Sequence, residues 1–210
     1  MKKVLAIAIC FFFIGFISCN SGDKSDNSDS VTDEKGNTSN NDQSAAVDKN
    51  SKWEQRKAKG DTMALPYKEL QAYFPEISGY TKEGGPKGSQ MNVPGMGSLS
   101  EAEQEYVKGN KNISIKIVDY NAAWQTFQGM TAIYGMGFST EDDTKKQSHS
   151  DLGLKDVYAY QTTYKTEPKS ELIIIVNDRF MISLNSDGEN SESFLKDVAK
   201  QMSLGKLSAL

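Results

Sequence analysis

The chain has 210 residues, 24 of them Lys or Arg and 28 Asp or Glu, for a net charge of −4, with two cysteines and one histidine. No basic stripe is interleaved with aromatics, which argues against nucleic acid as a partner, and a mild negative charge speaks mainly of solubility. Both cysteines, Cys10 and Cys19, lie at the N-terminal end, which excludes a disulfide, a CxxC pair, a thiolate zinc site and a cysteine nucleophile from the rest of the chain.

Lys2 and Lys3 precede an uncharged apolar run, residues 4–17, which leads into Ser18 and Cys19. The run is shorter than the ~20 residues of a membrane span and has the build of a cleaved signal peptide, residues 1–18. Ser18 directly before Cys19 resembles the lipobox of bacterial lipoproteins, with Phe16 in place of the usual leucine. That resemblance implies lipidation of Cys19 and a membrane anchor in the bacterial cell envelope, facing the periplasm or the exterior. Loss of the signal leaves 22 basic against 28 acidic residues, or −6.

Residues 20–51 are mostly Asn, Ser, Asp, Gly and Thr, with Val31, Ala45, Ala46 and Val47 as the only apolar residues. Such a stretch cannot offset its ordering entropy by burial. With Cys19 it is expected to form a disordered tether over residues 19–60, whose flexible part would span roughly 30 Å. Residues 52–59, KWEQRKAK, read as the solvated end of that linker, with contact between anionic lipid and the region of Trp53 as the alternative.

Residues 61–210 suit one domain with one core. Pro66 opens a short helix in which Tyr67, Leu70 and Phe74 share a face, and Pro75 ends it. The Gly- and Pro-rich residues 79–97 read as a long loop around one short strand near Tyr80. Ser98 and Glu101 have the spacing of a helix capping box, but a hairpin turning at Gly109 and Asn110 gives a better account. It sets Tyr106 against Ile113, Gln104 against Ile115, Ala102 against Ile117 and Glu103 against Lys116, so residues 98–108 are expected to be a strand.

Asn121 is then expected to cap a helix through Tyr134, with Ala123, Phe127, Met130 and Tyr134 facing the core. Residues 144–150 and 157–165 read as strands, the second with Tyr158, Tyr160 and Tyr164 on one face. The stretch ELIIIVNDRFMISL, residues 171–184, is expected to be the central hairpin, turning at Asn177 and Asp178. A two-residue turn would pair Ile175 with Phe180 and Ile173 with Ile182 on one face, and Ile174 with Met181 and Leu172 with Ser183 on the other. A last helix, residues 191–202, offers Phe194, Leu195, Val198 and Met202 to the sheet. The expected fold is α+β: a single domain with an antiparallel sheet of about five or six strands and helices on at least one face.

AEQEY before a hairpin, DVYAYQTTY, ELIIIVNDRF and a closing LGKLSAL together resemble a family of exported bacterial domains with no assigned activity. The likeness spans residues 98–210 and implies a fold and an exported address.

Sites of chemistry are scarce. His149 stands between Ser148 and Ser150 with Asp151 near, yet no nucleophile elbow accompanies it. GGPKGS, residues 84–89, lacks the ending of a phosphate loop, and residues 185–190 fail the calcium-loop spacing. Glu141, Asp142 and Asp143 read as solvated acids. Met130, Met181 and Met202 have core places by periodicity, which leaves Met91, Met96 and Met136 in Gly-rich loops as candidates for a soft metal. Arg179 is expected to face solvent or pair with an acid across the sheet. No catalytic residue, metal or cofactor is assigned. Two features remain: an acidic row, Glu101, Glu103 and Glu105, as an interaction surface, and Trp124, Phe127, Tyr158 and Tyr160 as the lining of a pocket between sheet and helix. The expected function is a non-enzymatic, membrane-anchored envelope lipoprotein acting on an unknown protein or small-molecule partner as an interaction module. The alternative is a carrier of a small apolar ligand.

Overall fold

The computed structural model describes residues 51–93 and 97–210. The expected signal peptide, Cys19 and nearly all of the expected tether lie outside the described residues, as do Pro94, Gly95 and Met96.

Among the described residues, nine strands form one antiparallel sheet: β1 (Thr81–Lys82), β2 (Lys87–Val93), β3 (Gly97–Lys108), β4 (Lys111–Asp119), β5 (Thr140–Glu141), β6 (Lys145–Ser150), β7 (Val157–Tyr164), β8 (Lys169–Val176) and β9 (Phe180–Asp187). Their order is β1-β3-β4-β9-β8-β7-β6-β5, with β2 also paired to β3. The helices are α1 (Lys52–Ala58), α2 (Tyr67–Leu70), α3 (Trp124–Gly135), α4 (Phe194–Gln201) and α5 (Leu204–Leu207). The α+β class therefore holds, but the sheet has nine strands where five or six were expected. Part of the excess comes from residues 79–97: Lys87–Val93 pairs with β3 along its whole length, Ser89 against Glu101 and Met91 against Leu99. Gly and Pro hid that strand, since their presence normally marks loops. The short strand expected near Tyr80 is β1, two residues long, and β5 adds another two-residue strand.

The β3–β4 hairpin has the expected register, Tyr106 opposite Ile113 and Glu103 opposite Lys116. The central hairpin does not. Val176 lies opposite Phe180, Ile174 opposite Ile182 and Ile175 opposite Met181, one residue away from the expected pairing. Asn177 and Asp178 do take the positive φ that the turn requires, at 54° and 49°, and the Arg179 amide closes it on the Val176 carbonyl. Arg179 is thus an extra residue on the β9 side. Because side chains alternate across a strand, a one-residue slip exchanges every face. Phe180, Ile182 and Leu184 therefore join Leu172, Ile174 and Val176 in one core, while Ile175 belongs to the other side.

That main core is covered by the residue 64–77 segment through Leu70, Phe74 and Ile77, and by α4 and α5 through Leu195, Val198, Met202, Leu204 and Leu207. Tyr106 is buried in it, with its hydroxyl donating to the Pro75 carbonyl at 2.8 Å. The opposite face carries a smaller cluster: Val118, Tyr120, Phe127 and Ile175, with Leu99, Ile173, Met181 and Tyr134 packed against it. α3 lies over this second face. Met130, expected in the core, is exposed instead, because α3 covers only part of the face and turns that side outward.

A polar cluster ties the two sides together. Arg179 is 2% exposed and forks onto Asp119, Nε to Oδ1 at 2.9 Å and Nη2 to Oδ2 at 2.8 Å. Its Nη1 reaches Asp61 at 2.9 Å. Asp119 also accepts the Leu65 and Asn121 amides, at 2.8 and 2.9 Å. Asn121 does not cap α3 as expected. A 3-10 turn, Asn121–Ala123, comes first, and the buried Asn121 side chain donates to Asp61 and Met63 while accepting Arg56 Nε at 2.8 Å. Gly97 has φ +101° and no room for a side chain, since a Cβ there would meet the Ala122 carbonyl at 2.0 Å. That close approach seats the turn leading into α3.

Residues 52–59 are not a solvated linker end. Ser51 caps α1 by accepting the Glu54 amide, and Arg56, 5% exposed, donates Nη1 and Nη2 to the carbonyls of Asn177 and Asp178. The folded body thus includes residues ahead of Asp61, the expected boundary. A fragment of residues 51–210 is expected to melt cooperatively with the midpoint of the full chain. A fragment of residues 61–210 should lose about 1.5–3 kcal/mol, the range for hydrogen bonds to a charged donor. Urea melts of the two would disprove the role of α1 if their midpoints coincided.

Candidate binding cleft

Between α3 and the second face of the sheet runs a cleft of about 830 Å³. Its helix bank comprises Phe127, Gln128, Thr131, Ala132 and Tyr134, with Gly137 just beyond, and its sheet bank His149, Tyr158, Ile175 and Asp178. The sheet supplies these side chains by register. His149 lies opposite Tyr160 and Tyr158 opposite Ile175, so alternate positions of β6, β7 and β8 point to the same side. α3 supplies Phe127, Thr131 and Tyr134 at four- and three-residue spacing, the repeat of one helical face.

Two of the four expected pocket residues line the cleft. Phe127 forms part of its wall, 2% exposed and tilted against Tyr120 at 5.6 Å, and Tyr158 stands half exposed in it. Tyr160 lies buried alongside, packed between Tyr134 and Phe138 at 5.5 and 5.0 Å, and its hydroxyl donates to the Phe138 carbonyl. Burial, and then the neighbouring Tyr134, holds the Tyr160 phenol above its usual range. Trp124 is not among the lining residues. It stacks on Trp53 of α1, centroids 6.1 Å apart and planes 22° apart.

The other sequence candidates fall elsewhere, except His149, which lines the cleft. Asp151, its possible partner in a triad, uses its carboxylate locally to accept the Gly153 amide at 2.7 Å. The acidic row is half-buried on the second face and interleaved with other groups. Glu101 pairs with Lys116 at 2.7 Å and Glu103 accepts the Ser114 hydroxyl at 3.5 Å. Burial raises the Glu105 carboxyl, opposed by the Ser114 hydroxyl and reinforced by Glu103. Arg179 is buried and ion-paired with the equally buried Asp119 and with Asp61. Met91 stands on β2 and Met136 after α3, both exposed. Asp142 is held down to about 2 by the Thr144 hydroxyl and by the Thr144 and Lys145 amides, which describes a turn that closes on itself. Among the described residues, no three His, Cys, Asp or Glu side chains form a metal-ligand set.

The cleft was foreshadowed by a signal the sequence reading did not use. Residues 120–140 contain no Asp, Glu, Lys, Arg or His. A helix with so little polar surface, left partly open, exposes Met130, Ile133 and Met136 at 44%, 51% and 77%, beside a cleft whose lining includes neither Lys nor Arg.

No protein-family model matches the chain, and no curated protein does. Among solved structures it is similar to the extracellular domain of PknH from Mycobacterium tuberculosis, at 14% identity and a TM-score of 0.36, over 70% of this chain and 93% of that one. A likeness that slight transfers neither fold nor function.

Proposed function

We propose that this is an exported, lipid-anchored, non-enzymatic binding protein of the bacterial envelope that takes a small apolar ligand into the cleft between α3 and the sheet. The observation that carries the reading is the cleft itself. At about 830 Å³ it lies within the size range of ligand sites. Its walls are Phe127, Tyr134, Tyr158, Ile175 and Ala132, and polar groups are few: Gln128, Thr131, His149 and Asp178. Apolar walls with a few placed polar groups are the ordinary composition of a small-molecule site. The interaction-module reading has less behind it: of the acidic row, Glu101 is paired with Lys116.

The full chain should bind the neutral fluorescent probe N-phenyl-1-naphthylamine with micromolar affinity. Ala132→Trp, an exposed position that lines the cleft, should fill the space and weaken binding by about tenfold or more, or about 1.4 kcal/mol, with an unchanged melt. Absence of probe binding, or an unaffected Ala132→Trp variant, contradicts the carrier reading.

The envelope address rests on the apolar run leading to Ser18 and Cys19. No described helix is long and apolar enough to cross a membrane. With each buried lipid methylene contributing about 0.8 kcal/mol, Cys19→Ala should move the protein from membrane to soluble fractions. Unchanged fractionation would rule out the lipid anchor.

A further inference from the structure

The contacts of α1 fall on both banks of the cleft. On the helix side, Trp53 stacks on Trp124, the first residue of α3, and Arg56 Nε donates to Asn121 in the turn that leads into α3. On the sheet side, the two remaining arms of the Arg56 guanidinium hold the carbonyls of Asn177 and Asp178 at 3.0 and 3.2 Å. Asp178 itself lines the cleft. Lys52 adds an ion pair with Asp156 at 2.7 Å, and the Asp156 carbonyl accepts the Asn177 amide at 2.8 Å. One guanidinium therefore bridges the entry to the cleft's helix and the turn at the edge of its sheet bank.

α3 needs such a tie. Its N-terminus has no side-chain cap, and Asn121, the residue best suited to cap it, spends its amide on Arg56, Asp61 and Met63. α1 is no more autonomous. A seven-residue helix is marginal in water by itself, so it persists through docking. The buried Arg56, the Trp53 stack and the Lys52 ion pair all lie outside the main apolar core.

We propose that α1 is a strap that holds the two banks of the cleft in binding register, with Arg56 and Trp53 as positioning residues, so that docking of α1 controls ligand retention. Docked, α1 fixes the start of α3 relative to the turn between β8 and β9. Undocked, the start of α3 loses its Arg56 and Trp53 contacts, the cleft loses its shape, and ligand leaves. The inference rests on the binding role of the cleft for its affinity arm only; the coupling of α1 to α3 can be read without a ligand.

Hydrogen exchange of the ligand-free full chain reads that coupling. Arg56→Gln and Trp53→Ala should each accelerate exchange across residues 124–135 by about tenfold or more, while β4, β8 and β9 stay protected. Probe affinity for N-phenyl-1-naphthylamine should fall by a similar factor. Should Arg56→Gln fail to fold, Trp53→Ala and Lys52→Ala, at half-buried positions, carry the same test. Unchanged exchange in α3 in a folded Trp53→Ala variant overturns the strap, as does unchanged probe affinity in a variant whose α1 exchange shows it undocked. A wild-type chain that does not bind the probe at all defeats the carrier role, and the exchange result then decides the strap alone.

Discussion

Replacing Phe180 by alanine is expected to cost about 3–5 kcal/mol, the range for deleting a buried aromatic ring. Phe180 has no exposed surface. It sits opposite Val176 in the central hairpin and opposite Asp119 on β4, so its ring is enclosed by strands on both sides and by the layer of helices that covers the main core. The Arg179 guanidinium also lies 4.8 Å from the ring centroid, and truncation would leave that cation facing a void. A domain of this size has ~5–15 kcal/mol of stability in total, so the variant should lose a large share of it. Urea melts measure this directly. A loss below about 1 kcal/mol would mean that the site collapses onto itself and that Phe180 is not a core residue.

Asp119→Ala is the second change with a large expected effect, about 3–5 kcal/mol. Asp119 is fully buried and accepts from two arms of Arg179 and from the Leu65 and Asn121 amides. Removing the carboxylate strands a guanidinium that is 2% exposed, with Asp61 as its one remaining acid. The penalty arises from the unpaired cation more than from the lost attraction. Arg179→Met on the Asp119→Ala background should therefore recover part of the loss. A double-mutant cycle tests this: coupling of ~1–3 kcal/mol is expected for contacting members of one network. Additive effects would mean that the two residues contribute independently.

These two residues also show where the sequence was legible and where it was not. The β3–β4 register was readable because it satisfied apolar pairing and charge pairing at once, with Tyr106 opposite Ile113 and Glu103 opposite Lys116. The central hairpin offered no such second constraint. Its apolar residues run continuously from Leu172 to Val176, so either register buries hydrophobes, and the choice falls to Arg179. As an extra turn residue, Arg179 reaches Asp119, sixty positions away in sequence, a partner that no local pattern reveals. β2 was obscured by Gly88 and its glycine-rich surroundings. Gly88 serves there to let Tyr67 approach, since a Cβ would meet that ring at 2.4 Å.

The site was half legible for similar reasons. Phe127 and Tyr158 could be placed by helix and strand periodicity, and both line the cleft. Ile175 was assigned to the wrong face by the slipped register, and His149 was weighed only as an acid–base group. α1 escaped notice because seven mostly polar residues, KWEQRKA, look like linker by composition. Its docking depends on single long-range contacts of Trp53 and Arg56, not on an apolar stripe.

The central claim, that the cleft beneath α3 is where this protein meets its ligand, is tested most directly by amide chemical shifts of the isotope-labelled full chain titrated with N-phenyl-1-naphthylamine. The account predicts saturable shifts concentrated at Phe127, Thr131, Tyr134, His149, Tyr158 and Ile175, the residues of the two banks. Shifts concentrated instead along Glu101, Glu103 and Glu105, or no saturable shifts at all, would contradict it.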